Sequence, residues 1–343
     1  MSHPLNDRER AVLEAVIQTY IETAEPAGSR TIAKRFPLGV SAATIRNTMS
    51  DLEDRGYLFH PHTSAGRIPT DRAYRVYVDA IIRDGRVELP DHAALSRELR
   101  PDAGVIEGLL QKAAQVLGVL TSELGVAVAP SLDHAVLERL ELMPVSAERI
   151  LMILVLRGGL ARTIYVEVSS HLPAEAVLSV ARVLNERLAG LTLSAIRTTV
   201  RERLRDTSVP SASELLNIFV EEADHLFDVP AGSSSDVLLG SAQPLADQPE
   251  FNTSGQVRRL LELTERRDVL RSALQERRAG GLTITIGGEN TDPALSAFTI
   301  VTASYRHGGL SGVIGVMGPT RMPYEKVIGM VENTSRLVED LAG

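Results

Sequence analysis

The chain has 343 residues, of which 44% are hydrophobic and 4% aromatic, and it carries a formal net charge of −8, so its length allows two or three globular domains. Cysteine is absent, which excludes disulfides, thiol catalysis and cysteine-ligated zinc. Because the first residues lack the layout of a secretory signal and apolar runs such as 150–156 are too short to span a bilayer, we expect a cytoplasmic protein outside the membrane.

Two helices are predicted at the start of the chain. Residues 6–23 begin with Asn6 and Glu9 at the spacing of a capping box and continue with an apolar stripe of Leu13, Val16, Ile17, Tyr20 and Ile21. Ser29 is suited to cap a short second helix, and residues 37–39 form a tight connection to the next element.

A third helix is predicted between Ser41, which can cap its amino end, and Gly56, which can form the closing left-handed turn. One face is an apolar stripe that docks on the rest of the domain, namely Ile45, Met49 and Leu52. The opposite face combines small side chains with Arg and Asn, which supply the paired donors that guanine and adenine recognise. We expect the DNA-contacting residues on this face and its flanks: Ser41, Ala43, Thr44, Arg46, Asn47 and Ser50.

A basic hairpin is predicted directly after this helix. Residues 57–59 are β-prone, and the turn after them leads to a tip that carries Arg67 beside Gly66. Arg67 could reach phosphates or the minor groove, and Arg72 is a second candidate on the following helix. An ordinary surface loop is the alternative. The order of helix, short helix, turn, helix and hairpin predicts a winged helix-turn-helix domain in residues 1–86.

The charge balance of this segment tests the DNA-binding interpretation. Residues 1–86 contain 12 Lys or Arg and 11 Asp or Glu. Affinity for DNA must therefore come from the local placement of a few cations, namely Arg30, Lys34, Arg35, Arg46, Arg67, Arg72 and Arg75. A neutral globular domain with solvated charges is the alternative.

The rest of the chain alternates between sheet and helix patterns, which predicts a mixed α+β, multidomain protein. In chain order, the pattern predicts a helix at 103–122, strands within 123–168 with a hairpin at Gly158 and Gly159, and helices at 174–190, 211–228 and 255–279. Further strands are predicted within 282–319 and a last helix at 323–341. Residues 230–254 read as a loop. Strand patterns on both sides of a helical segment suggest one α+β domain interrupted by another, and a succession of three domains remains open.

Enzyme motifs are absent from the sequence, which lacks GxSxG, HExxH, GxxxxGK[ST] and a GxGxxG after a strand. The Gly pairs beginning at 158, 280, 287 and 308 are explained by turns. His60 and His62 form the only close histidine pair and have no further ligand cluster nearby. We therefore expect no catalytic, metal or cofactor site; a DNA-tethered enzyme is the alternative from another class.

Three separated blocks of the chain resemble the heat-inducible transcription repressor HrcA family. They are SAATIRNTMSDLEDRGYLFHPHTSAGRIPTDRAYRVYVD from residue 41, IGGEN at 286–290 and GVIGVMGPTRMPYEKVI at 312–328. The resemblance implies a repressor that binds double-stranded DNA at an inverted-repeat operator upstream of chaperone genes, as a homodimer, and is kept active by the GroEL chaperonin. It also implies a GAF-like domain in two segments, 92–171 and 274–343, around a mainly helical dimerising insert at 172–273.

Two further expectations concern the carboxyl-terminal half. A dimer held by this half also follows from the DNA argument, because one reading helix covers only a few base pairs and two-fold symmetry matches a palindrome. Four polar residues of the resembling blocks suit either a ligand pocket or buried salt bridges and turns, and we favour the structural role: Glu289, Asn290, Arg321 and Tyr324. A small-molecule-responsive regulator with a GAF-like sensor is the alternative within transcription.

Overall fold

The structure is a computed structural model that describes residues 4–62, 65–88, 92–99, 106–130, 132–158, 160–168, 172–206, 213–222, 226–227, 237–277, 280–307 and 309–342. These residues form a mixed α+β fold of two units. Unit 1 consists of Met1–Val128, Val237–Ser304 and Val313–Val338, and unit 2 consists of Ala129–Asp236, Tyr305–Gly312 and Glu339–Gly343. Within the described ranges, no helix has the length and apolar character needed to cross a membrane.

The elements are labelled in chain order. The helices are α1 (Asp7–Thr23), α2 (Ser29–Arg35), α3 (Ala42–Asp54), α4 (Asp71–Asp84), α5 (His92–Glu98), α6 (Ile106–Thr121), α7 (Ala174–Leu188), α8 (Leu193–Leu204), α9 (Ser213–Glu221), α10 (Gln243–Ala246), α11 (Ser254–Glu265), α12 (Arg267–Gln275) and α13 (Tyr324–Ala342). The strands are β1 (Leu58–Phe59), β2 (Ile68–Pro69), β3 (Leu124–Val128), β4 (Leu137–Pro144), β5 (Arg149–Leu156), β6 (Ala161–Glu167), β7 (Val237–Leu239), β8 (Thr283–Ile286), β9 (Phe298–His307) and β10 (Leu310–Pro319).

Unit 1 begins with α1 to α4 and the hairpin of β1 and β2, in the predicted order. The capping box of α1 is confirmed, because Asn6 Oδ1 accepts from Glu9 N and Asn6 N donates to Glu9 Oε2. The predicted cap of α2 is wrong by one residue: Ser29 is the first helical residue, and Gly28 precedes it without a side-chain cap. A favourable cap residue marks the neighbourhood of a helix start, and the extended backbone of Gly28 fixes the actual position.

The rest of unit 1 is built on a five-stranded sheet in the order β7-β3-β10-β9-β8. Alternate residues of β3 face a core made with α10, α11 and α12, whose buried members include Leu245, Leu260 and Leu270. On the other face α6 lies so close to β3 that a Cβ atom at Gly125 would be 1.8 Å from the Ala114 carbonyl oxygen. The sheet is therefore covered on both faces.

Unit 2 is built on the antiparallel three-stranded sheet β4-β5-β6. The hairpin predicted around Gly158 is confirmed, with β5 and β6 paired from Arg149 opposite Glu167 to Val155 opposite Ala161; Gly159 lies outside the described residues. One sheet face packs on α7, α8 and α9 through residues such as Leu154, Leu184 and Phe219.

Two sequence expectations differ from these units. Strands β4 to β6 pack with α7 to α9, whereas α11 and α12 pack in the other unit, so the units do not follow the predicted boundaries of 172–273. The alternation of a strand shows which side is buried but does not reveal which sheet the strand joins. The helix predicted at 255–279 is two helices, broken at Arg266, whose φ of −80° and ψ of 65° are not helical.

Candidate nucleic-acid interface

Helix α3 has the predicted ends. Ser41 Oγ accepts a 3.1 Å hydrogen bond from Thr44 N and lies 3.0 Å from Thr44 Oγ1. Gly56 follows the last turn with a φ of +74°, and Tyr57 N donates to Leu52 O. The left-handed conformation at Gly56 lets the chain turn directly into β1 without the strain that a Cβ atom would bring.

The two faces of α3 differ in burial as predicted. Ile45 and Leu52 are fully buried and Met49 is nearly so. On the opposite side the predicted residues are exposed, apart from half-buried Thr44: Ser41, Ala43, Arg46, Asn47 and Ser50. Among the described residues, Arg46 and Asn47 have no side-chain hydrogen bond or ion pair. Their donors are therefore available to a partner.

Arg67 does not lie at the hairpin tip, which corrects its predicted position. Its backbone exchanges two 2.9 Å hydrogen bonds with Ala27, and its guanidinium binds Glu53 of α3 at 2.7 Å. Gly66 is required beside it, because a Cβ atom there would lie 2.3 Å from the Ala27 carbonyl oxygen. The sequence shows the turn but not this distant backbone pairing. Residues 63 and 64, between the strands, lie outside the described residues.

Arg72 is held at the carboxyl end of α3. Its guanidinium carbon lies 4.4 Å from the ring centroid of Tyr57, a cation–π contact, and its Nη1 donates to Arg55 O at 2.9 Å. Arg55 in turn pairs with Glu9 of α1 at 2.8 Å. Sequence reasoning missed the supporting roles of Tyr57 and Glu53, because nothing in the local pattern marks them as partners.

The other predicted cations divide into available and engaged groups. Arg30 and Lys34 are exposed on α2, whereas Arg35 pairs with Glu22. Arg75 pairs with Glu289 in the carboxyl-terminal part of unit 1. Glu289 would therefore compete with a DNA phosphate for the Arg75 guanidinium.

A cleft of about 570 Å³ brings several basic side chains together, with Arg30, Arg46, His60 and Arg67 among its lining residues. It lies where α2, α3 and the hairpin meet. His60 Nε2 is 2.9 Å from the Ala65 carbonyl oxygen. In the ranges that the structure covers, no group of three or more His, Asp or Glu side chains is arranged to hold a metal ion. The chemistry that this surface offers is hydrogen bonding and positive charge.

The four polar residues of the carboxyl-terminal blocks have the salt-bridge and turn roles that we favoured. Glu289 pairs with Arg75, and Arg321 pairs with Glu250 and donates to Ile21 O at 2.6 Å. Asn290 and Tyr324 are buried, with Asn290 bonded to backbone carbonyls and Tyr324 OH to Thr320 O.

Burial and hydrogen bonding act in opposite directions on the Glu289 carboxyl. Burial raises its pKa, but the hydrogen bonds from Arg75 and from Ile286 N outweigh that effect, so the pKa lies below its ordinary value. Glu289 therefore carries a negative charge at neutral pH, as its pairing with Arg75 requires.

Comparison with known proteins identifies the family. The family described as HrcA protein C terminal domain matches residues 107–328. The chain is 40% identical over 342 residues to the heat-inducible transcription repressor HrcA of Chlorobium phaeobacteroides (strain BS1), covering 96% of each chain. It is 38% identical over 340 residues to that of Chlorobium luteolum (strain DSM 273 / BCRC 81028 / 2530), covering 95% of this chain and 94% of the relative.

A solved structure shares the fold. A crystal structure of a hypothetical protein at 2.2 Å resolution matches with a TM-score of 0.66 and 24% identity, covering 98% of both chains. Together with the extended sequence identity to named repressors, the match of more than half the chain to the family model is decisive. The chain belongs to the HrcA family of heat-inducible transcription repressors.

Proposed function

We propose that this protein silences chaperone operons by binding, as a homodimer, an inverted-repeat operator through the outer face of α3, and that the GroEL chaperonin keeps it active. The observation that carries the proposal is the exposed row on a capped helix, where Arg46 and Asn47 have no partner among the described residues. In this proposal residues 1–86 are a winged helix-turn-helix domain and β1-β2 is its wing.

Base readout is assigned to the outer face of α3. Ala43 and Ser50 are small, so the helix can approach the floor of the major groove closely. Arg46 and Asn47 then lie within reach of base edges, where Arg favours guanine and Asn favours adenine. Ser41 and Thr44 are at the amino end, which groove-entering helices point at the bases.

Backbone contacts are assigned to the cations around this helix. Exposed Arg30 lines the same cleft as Arg46 and is suited to a phosphate. Arg72 is exposed and held on Tyr57, which orients its guanidinium. Arg67 can contact a phosphate only by sharing or exchanging its bond to Glu53. Its contribution to DNA affinity is therefore smaller than that of Arg30 or Arg72.

Dimerisation is assigned to the open face of β4-β5-β6 in unit 2. The register places Met143 opposite Leu151 and Leu151 opposite Tyr165, which makes a continuous apolar row across three strands. Met143 is 52% exposed and Tyr165 is 63% exposed. An exposed apolar row bordered by ion pairs such as Arg149–Glu167 is typical of a protein interface. In this proposal unit 2 is the inserted dimerising domain, and the five-stranded sheet of unit 1 with its helices is the GAF-like domain.

The proposal is tested by fluorescence anisotropy with a labelled duplex from the region upstream of a chaperone operon. The wild type should bind it more tightly than a scrambled duplex, and purified GroEL should raise the active fraction. Arg46→Ala with Asn47→Ala should abolish the preference. Arg258→Ala is the control, because Arg258 is an exposed arginine that pairs with Glu262 on α11. Equal binding of both duplexes by the wild type would contradict the proposal.

The interface is tested separately by sedimentation of the full chain. We expect a dimer for the wild type and dissociation for Tyr165→Glu, because a charge would then be buried in an apolar row. Leu178→Glu is the control, since Leu178 is equally exposed, at 63%, but lies on α7 and outside the row. An undisturbed dimer in Tyr165→Glu would move the interface elsewhere.

A further inference from the structure

A short turn in the carboxyl-terminal part of unit 1 binds the amino-terminal half of α4, the helix that follows the hairpin. The turn consists of residues 287–290 and is called the α4 dock below. Gly288 N donates to Asp71 Oδ2 at 2.9 Å, and Glu289 Oε1 accepts from Arg75 Nε at 2.8 Å. Arg75 Nη2 also donates to the Ile284 carbonyl oxygen at 2.7 Å. The first two turns of α4 are thus fixed at both Asp71 and Arg75.

The α4 dock is shaped to receive Asp71. A Cβ atom at Gly287 would lie 2.1 Å from Asp71 Oδ2, and the φ of Gly287 is +53°. Only glycine combines this backbone conformation with room for the carboxylate. The Asp71 carboxylate therefore packs directly against the backbone of Gly287 and Gly288.

The α4 dock is itself held firmly. Glu289 Oε2 accepts from Ile286 N at 2.9 Å, which fixes the carboxylate that binds Arg75. Asn290 Nδ2 lies within 3.0 Å of the carbonyl oxygens of Gly287, Leu295 and Phe298. Asn290 is 9% exposed, so these bonds are sheltered from water. These bonds therefore fix the positions of the Glu289 carboxylate and of the Gly288 N–H group.

The contacts continue from α4 to the reading helix. Thr70, the residue before α4, donates from Oγ1 to Gly56 O at 2.8 Å and to Tyr57 O at 3.0 Å. Arg72 donates to Arg55 O, which is the residue after the last turn of α3. A chain of hydrogen bonds thus leads from the dock, through the first turn of α4, to the carboxyl end of α3.

We propose that Glu289 and Gly287 of the α4 dock, with Asp71 and Arg75 of α4, are positioning residues that fix the orientation of α3 relative to the five-stranded sheet. The inference rests on the proposed function. A dimer reads two half-sites at once, and each added base pair rotates the second half-site by about a tenth of a helical turn. A fixed α3 therefore selects one spacing between half-sites, whereas a released α3 tolerates several.

This role makes a prediction that a merely stabilising contact does not. Loosening the dock leaves the reading face unchanged, so affinity for a duplex with one half-site should stay within about twofold of wild type. Affinity for the full palindrome should fall about tenfold, because the second half-site is no longer presented at a high effective concentration. The preference for one spacer length should flatten as well.

The experiment measures binding of Glu289→Gln to a single half-site, to the palindrome, and to palindromes whose spacer is lengthened or shortened by one and two base pairs. Glu262→Gln is the matched control, because Glu262 loses a similar pair with Arg258 on the exposed side of α11. The double exchange Arg75→Glu with Glu289→Arg should restore the sharp spacer preference. Circular dichroism checks that each variant is folded, and Glu289→Asp serves if Glu289→Gln is not.

The outcomes separate the two proposals. A folded Glu289→Gln or Glu289→Asp with the spacer profile of wild type would overturn the positioning role, as would an equal loss on half-site and palindrome. Failure of the wild type to bind any duplex at low salt would instead overturn the proposed function, and the positioning role with it. A flattened profile with intact half-site affinity and rescue by the exchange is the result we expect.

Discussion

The outer face of α3 and the α4 dock each contain an asparagine, and the two side chains have opposite surroundings. Asn47 is exposed and has no side-chain bond among the described residues, whereas Asn290 is 9% exposed and bonded to three carbonyl oxygens. Both lie in blocks that resemble one family. A polar motif can therefore identify a family without revealing whether its side chains bind a partner or stabilise the fold.

Replacing each asparagine by alanine should change the free energy of unfolding by very different amounts. Asn290→Ala leaves buried carbonyl groups without a donor, so we expect the free energy of unfolding to fall by about 2–4 kcal/mol. Asn47→Ala should change it by less than about 0.5 kcal/mol, because the side chain has no internal partner among the described residues. Urea denaturation measures both. An equal loss of unfolding free energy in the two variants would contradict the difference between the two asparagines.

The next effect concerns base recognition. Arg46→Ala should weaken operator binding by about 1–3 kcal/mol if its guanidinium contacts a base, and Asn47→Ala should relax discrimination at one base position. Both variants should unfold at the same urea concentration as the wild type. Anisotropy titration against single-base operator variants measures the effect. Unchanged affinity in a folded Arg46→Ala would show that Arg46 makes no contact with a base.

The pH dependence of stability probes the α4 dock. The pKa of Glu289 is lowered in the folded state, so its charge stabilises the fold above the ordinary value of 4.5, and this contribution is lost as the pH falls below that value. Glu289→Gln should therefore be less stable than wild type at pH 7, and the two should converge below pH 4.5. A difference that does not change with pH would mean that the charge of Glu289 has no part in the dock.

Glu123 offers a control with the opposite sign in the same unit. It is 1% exposed, and burial raises the pKa of its carboxyl well above the ordinary value. A raised pKa means that protonated Glu123 favours the fold at low pH and that this advantage is lost as the pH rises. Glu123→Gln should thus be more stable than wild type at pH 7, with the gain disappearing in acid, and a loss at pH 7 would contradict this account.

The smallest effect concerns the hairpin. If Arg67 contacts a phosphate, Arg67→Ala should reduce the salt dependence of DNA binding by about one unit of log affinity per log salt, with base preference intact. Glu53→Gln is the companion variant, because it frees Arg67 from its internal pair. If the slope of log affinity against log salt in Arg67→Ala equals that of wild type, Arg67 does not contact a phosphate.

Local features of the fold were predictable from the sequence, and distant pairings were not. The capping box at Asn6 and the amphipathic character of α3 follow from residues a few positions apart, so short-range patterns carry them. The pairing of Arg67 with Ala27 and of Arg75 with Glu289 joins residues far apart in the chain, which no periodicity encodes.

Short elements were also not predictable from the sequence. Strand β7 has three residues inside a stretch that reads as a loop, and it is a strand because it pairs with β3 through Val126 opposite Leu239. At the candidate interface, the exposed row on α3 was predictable because it is the complement of the apolar stripe. The bonds that Arg67 and Arg72 make within the fold were not, since they depend on tertiary packing.

Selection from a random duplex library tests whether two copies of α3, in a symmetric pair of subunits, each bind one half-site through the outer face. The full chain is incubated with the library, bound duplexes are amplified over several rounds, and the enriched sequences are compared. We expect an inverted repeat for the wild type and a changed base within each half-site for Asn47→Ala. No enrichment, or a single unrepeated motif, would contradict it.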